Sequence, residues 1–229
     1  MLLADDGRRF GTEQERIIME QIKRYGIFLV GLFVASLGVA FSTKAGLGTS
    51  PVASVPYSVS LVNHALTFGW WLNVLSLIQI AVQIALLRKR CKPLEILVQT
   101  AVAFLYGYLT DFSCGLLSGV QPTAYVARFA VMLVGCIVLA LGIWIQYRGG
   151  VAMLPGEAMN RAVSTVTGKR YENVKVFFDV LYILIATVIC LVFLGELAGV
   201  REGSVIAALL VGNIIKVYNK AFEKVMKKT

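Results

Sequence analysis

The chain has 229 residues, of which 58% are hydrophobic and 15% charged, with a mean hydropathy of +0.76. That composition excludes an ordinary soluble domain and marks an integral membrane protein. The net charge of +9 would point a soluble protein toward nucleic acid, but here the basic residues gather at the ends of apolar runs, where they set topology and anchor lipid head groups rather than bind DNA or RNA.

Residues 1–24 form a charged, cytoplasmic N-terminal segment. Thr12, Glu13, Gln14 and Glu15 resemble a capping box opening a short surface helix that carries Ile17, Ile18 and Ile22. No small-x-small cleavage site follows the basic start, so the first apolar run is read as part of the mature protein. Six runs reach or approach the roughly 17 to 25 residues that cross a hydrocarbon core. They cover 25–43, 68–87, 93–117, 124–147, 174–194 and 204–218. The last is the weakest, because Asn213 and Lys216 interrupt it. A basic tail, 219–229, follows. When successive loops are assigned to alternate sides, all of the 22 lysines and arginines except Lys44, Arg128 and Arg201 fall on one side. The positive-inside rule then puts both termini in the cytoplasm, with six crossings.

After the first run comes GLGTSPVASVPYSVS (46–60), too rich in glycine, proline and serine for a membrane helix. A gap-free offset of 104 residues reaches GVAMLPGEAMNRAVS (150–164), and the flanks match as well. Identities include Arg24/Arg128, Gly31/Gly135, Gly38/Gly142, Gly46/Gly150, Pro51/Pro155 and Ser60/Ser164, and Lys44/Arg148 keeps its charge. With a shift of about two, Asn73 falls opposite Asp179, and Gly107 lies near Gly212 at a shift of 105. Each copy holds three crossings, an odd number, so the second enters the membrane upside down. The expected fold is an all-α polytopic membrane protein of six helices, built as two inverted-topology repeats, 25–118 and 124–218. Each repeat carries a Pro/Gly-broken segment after its first helix that can re-enter the membrane. Many secondary transporters share this architecture and bind substrate where their repeats meet.

Candidate binding residues follow from that expectation. Thr49-Ser50-Pro51 reads as a helix start with a hydroxyl cap and proline at the first position, and Leu154-Pro155-Gly156-Glu157 repeats it with an acid in the first turn. Such starts inside a membrane line a cavity; as interfacial loops they would not. Glu157, Asn160 and Arg161 share one helical side, giving an ionisable wall for a proton, a cation or an amine, against a surface cap paired with Arg161 as the plain alternative. The first copy offers Ser50, Ser54 and Tyr57 instead. Asp111 and Asp179 are acids within apolar runs, which usually face a bundle interior; Asp179 can pair with Lys175, and Asp111 can be interfacial. Lys44 and Arg148 end equivalent helices, where they cap carbonyls or hold an anionic group. The stripe Gly31, Ala35, Gly38, Ser42 lets another helix approach closely. Cys91, Cys114, Cys136 and Cys190 are widely spaced and far in sequence from His64, the only histidine. No metal site, disulfide frame, cofactor motif or catalytic triad is expected, and no enzyme.

The phrase GLFVASLGVAFSTKAGLGTSPVASVPYSVSL followed by FGWWLNVLSLIQIAVQIALL resembles the YczE/YitT-type bacterial integral membrane proteins. First-helix glycines, the turn from Lys44 to Pro51, and Asn73 early in the next helix carry the match. The soluble C-terminal domain of the YitT branch is missing, which favours the shorter YczE-like branch; the resemblance implies no site residues. The sequence therefore leads to a small secondary transporter or exporter of a small polar or charged metabolite, a homodimer being compatible with it. Two other readings stay open: a binding subunit serving a separate ATPase module, and a regulatory or scaffold protein that moves nothing.

Overall fold

The computed structural model describes residues 3–226. Their secondary structure is all helical: α1 (Leu3–Ala45), α2 (Pro51–Val62), α3 (Phe68–Leu87), α4 (Pro93–Leu116), α5 (Tyr125–Gly149), α6 (Pro155–Thr167), α7 (Tyr171–Phe193) and α8 (Glu202–Met226). The N-terminal expectation is corrected. Helix α1 runs unbroken through Thr12, so no capping box opens a separate helix there.

Among the described residues five helices, α1, α3, α5, α7 and α8, are long and apolar enough to cross a membrane. Helix α8, which the sequence marks as weakest, is among them. Asn213 hides part of its polarity by donating from Nδ2 to the Leu209 carbonyl at 3.0 Å. Helix α4 is not among them, although its 24 residues span about 36 Å at 1.5 Å per residue. Its shortfall is compositional, because Gln99, Thr110 and Ser113 face inward and are buried. The outer faces bear large apolar side chains such as Leu97, Val126, Val188, Val192 and Phe193, a surface that water would not tolerate over such an extent and lipid does.

Helices α1 and α5 form the central crossing, the most extensive helix pair in the molecule. Small residues set how close they come. A Cβ at Gly31 would sit 2.6 Å from the Gln146 nitrogen, and one at Gly135 2.6 Å from Ser42 Oγ. A Cβ at Gly38 would overlap the Leu139 backbone, and one at Gly142 the backbone of Ala35. Contacts that advance along α1 retreat along α5, so the two helices are antiparallel. Each then ends on a glycine in the left-handed region, with Gly46 at φ 64° and Gly150 at φ 57°. That conformation closes a helix and disfavours any residue with a Cβ. Arg24 secures one of these ends, donating from Nε to the Gly149 carbonyl at 3.1 Å and from Nη2 to the Gly150 carbonyl at 3.0 Å.

The broken segments become short helices, α2 with 12 residues and α6 with 13. At about 18 to 20 Å they cannot span a core of roughly 30 Å. Both are packed inside the bundle, α2 mainly against α7 and α6 mainly against α3. Pro51 and Pro155 each occupy the first turn, where a missing N–H costs no hydrogen bond.

Candidate functional site

The two helix starts meet at one partly open cavity of about 230 Å³. Ser50 to Ala53 line it from α2, and Leu154 to Glu157 with Asn160 line it from α6. Side chains of α3, α4, α5, α7 and α8 complete the wall. Most of that wall is apolar, including Leu72, Leu75, Leu139, Ile143 and Val211.

Its polar groups concentrate at the α6 side. Glu157 Oε1 accepts a hydrogen bond from the Tyr147 hydroxyl at 2.7 Å, and among the described residues no basic group forms an ion pair with it. Asn160, one turn on, is 4% exposed, and its Oδ1 has no hydrogen-bond partner. Burying such an acceptor unsatisfied costs about 1 to 3 kcal/mol, which marks a position for a ligand donor. Asp179 Oδ2 takes a 3.2 Å ion pair from Lys175 Nζ. Gln79 donates from Nε2 to the buried Tyr182 hydroxyl at 2.9 Å, joining α3 to α7. Ser50, at the N-cap of α2, makes no side-chain capping bond and keeps its hydroxyl for the cavity.

Of the residues picked out in the sequence, Ser50, Glu157, Asn160 and Asp179 lie together on this wall. The others are elsewhere. Arg161 is exposed and points Nη1 at Met153 Sδ, 3.6 Å away, rather than pairing with Glu157. Ser54 is buried and donates to the Pro51 carbonyl at 2.6 Å. Tyr57 packs edge-on against Phe68, with ring centroids 5.5 Å apart. Arg148 lies over the Phe222 and Trp144 rings, 3.5 and 4.9 Å from their centroids, so cation–π contacts anchor it to α8 and it faces no cavity. Lys44 is half-buried in the last turn of α1 and likewise outside the cavity wall.

Asn73 and Asp111 belong to a closed seam between α3 and α4. Asp111 accepts from the Thr67 hydroxyl through Oδ2 and from the Gly69 N–H through Oδ1, the latter at 2.7 Å, fastening α4 to the start of α3. A Cβ at Gly69 or at Gly107 would overlap the facing helix, and Asn73 is buried against Gly107. Replacing Asp111 with alanine leaves the Gly69 N–H and the Thr67 hydroxyl without their acceptor. A loss of about 1.5 to 3 kcal/mol is expected, measurable as earlier thermal unfolding of the detergent-purified protein, with Asp111→Asn intermediate.

Sequence reasoning missed Gln79, Tyr147 and Lys175 as wall residues, and Tyr182 as the hydrogen-bond partner of Gln79. The signal for Gln79 was present: an amide in mid-helix within an apolar run must find a partner, as an acid must. Tyr147 and Tyr182 gave none, since a tyrosine in a membrane helix is ordinarily interfacial.

Residues 22–220 match the model of a family of unknown function, DUF6198. No curated protein and no solved structure matches the chain. With that match running through all eight helices and both helix starts at the cavity, the chain belongs to the DUF6198 family.

Proposed function

We propose that this protein is a small secondary transporter that moves a small polar or charged molecule across the bacterial inner membrane, with the cavity as its substrate site. In this reading it is a carrier and no enzyme. Helices α1, α3, α4, α5, α7 and α8 make six crossings, and the repeats 25–118 and 124–218 have inverted topology. The resemblance to YczE/YitT-type proteins adds the bacterial membrane setting.

Support comes from which helices touch. Exchanging the four helices of one repeat for those of the other turns α1–α4 into α5–α8, α2–α7 into α6–α3, α2–α3 into α6–α7, and α2–α8 into α6–α4; all of these pairs are in contact. One pairing breaks the pattern, and it carries the proposal. Helices α3 and α4 pack tightly, whereas their counterparts α7 and α8 make no comparable contact among the described residues, and the cavity lies between them. Two equivalent units in different conformations are what alternating access requires: exchanging those conformations closes α7 on α8 and parts α3 from α4 on the opposite side. With the basic residues oriented inward, Tyr147, Lys175 and Ile215 lie at the cytoplasmic side of the cavity, so the described state is open inward.

Reconstitution tests this directly. A thermal-shift screen over metabolites supplies a ligand, and counterflow of that ligand into proteoliposomes of the purified protein is the expected result. Glu157→Gln should lower the flux at least tenfold with expression and elution profile unchanged, the effect of losing about 1.4 kcal/mol or more of binding to a charged acceptor. Full flux in that variant removes Glu157 from the site. Tight binding without flux favours the subunit of an ATPase module, and neither binding nor flux favours a scaffold.

A further inference from the structure

The cavity is polarised in both charge and polarity, and this indicates a class of ligand. It contributes two carboxylates, Glu157 and Asp179, and one ammonium, Lys175, which is spent on Asp179 at 3.2 Å. Counted as formal charges that leaves one negative charge, and Glu157 is the carboxylate with no ion pair among the described residues. The Tyr147 hydroxyl occupies Glu157 Oε1, so Oε2 remains available to a ligand. One helical turn away the buried Asn160 Oδ1 is also an unused acceptor. The α6 wall thus offers an unpaired carboxylate and an amide whose carbonyl is unused, and Leu72, Leu139, Ile143 and Val211, which pack together, give the cavity an aliphatic lining.

We infer that the cavity takes an amphipathic monocation: a small molecule whose primary ammonium is held by Glu157 and Asn160 and whose apolar body fills the aliphatic side. This rests on the reading of the cavity as the substrate site. A primary ammonium has three donors and no acceptor, matching the Glu157 carboxylate and the unused Asn160 carbonyl. A carboxylate head would face Glu157 at close range in a desolvated space, where like charges repel most strongly. The α2 start is a competing attraction for an anion. It is weakened at its first position by Pro51, which has no N–H to offer, and the α6 start already has Glu157 in its first turn.

The test uses three probes with one body and different heads: 2-phenylethylammonium, 3-phenylpropionate and 3-phenylpropanol, each titrated against the purified full chain in nanodiscs with thermal unfolding as the readout. The ammonium probe is expected to raise Tm in a saturable way and the other two to do so far less. Glu157→Gln should weaken the ammonium response roughly ten- to hundredfold, the usual range for losing a charge-assisted hydrogen bond. Glu157→Asp should retain part of it, and Arg161→Gln, on the outward side of α6, should leave it unchanged. Equal responses to all three heads, a stronger response to the carboxylate, or an ammonium response unaltered in Glu157→Gln would overturn the assignment. Binding and flux separate the two readings: ammonium binding without flux sinks the transporter and keeps the ligand class, whereas flux of an anion does the reverse.

Discussion

Gly212→Leu is expected to leave folding intact and to stop transport, while Gly107→Leu is expected to prevent folding. The two glycines occupy corresponding places on α4 and α8, but their surroundings differ. A Cβ at Gly107 would lie 2.5 Å from the Gly69 carbonyl oxygen and overlap the Asn73 amide, so any side chain there forces α3 and α4 apart. A Cβ at Gly212 meets nothing within 4 Å, because α7 stands away from α8 across the cavity. In the described state a side chain at 212 is therefore free of clash, and alanine there should even stabilise the helix by about 0.5 to 1 kcal/mol through lost backbone freedom in the unfolded chain. In the proposed cycle, however, α8 must take up against α7 the packing that α4 has against α3. Overpacking that seam costs about 1 to 3 kcal/mol, which would deplete the outward-open state roughly 5- to 150-fold. Circular dichroism and elution profile report the folding of each variant, and proteoliposome counterflow reports the cycle. Wild-type flux in Gly212→Leu would show that α7 and α8 do not need to close.

How much of this could be read from the sequence depends on whether the cause was local. Helix starts at Pro51 and Pro155 were legible, because proline and its missing N–H act on one turn of backbone. The small-residue stripe on α1 was legible as a close-packing face, though not the partner, α5, that fills it. Lys44 and Arg148 show the limit. Both lie in the last turn of a helix that closes on a left-handed glycine, yet the fate of Arg148 was decided by Phe222, more than 70 positions away on a helix whose position no periodicity reveals. Glu157, Asn160, Asp179 and Ser50 could be listed from composition and spacing, and the pairing of Asp179 with Lys175 from its i, i+4 spacing, but the bond from Tyr147 to Glu157 that completes the division of their roles is supplied only by tertiary geometry. The open seam between α7 and α8 was beyond sequence reading altogether: Gly107 and Gly212 look alike, and a conformational difference between equivalent elements leaves no mark on the residues that take part.

A second pair of corresponding glycines should behave in the opposite way. Gly38→Ala and Gly142→Ala are each expected to destabilise the protein strongly and by similar amounts, because they lie on the α1–α5 crossing, where the two proposed repeats would meet as equals. A Cβ at Gly38 overlaps the backbone of Leu139, one at Gly142 overlaps that of Ala35, and Leu139 and Ala35 are themselves related by the same 104 positions. What is encroached on is helix backbone, which has no rotamer by which to move aside. The helices must separate instead, thinning contacts along the whole crossing, so the loss should reach or exceed the 1 to 3 kcal/mol of ordinary overpacking. Gly26→Ala, on α1 with nothing within 4 Å of its added Cβ, is the unstrained control and should show only the small gain of about 0.5 to 1 kcal/mol expected at an open helical position. Thermal unfolding of the three variants in one detergent checks this. Matched losses at 38 and 142, set beside unmatched ones at 107 and 212, would locate the asymmetry of the molecule in its moving seam and leave the central crossing as the fixed axis about which the two repeats exchange. A large difference between 38 and 142 would mean that the crossing, too, departs from the two-fold relation, and that α1–α5 takes part in the motion.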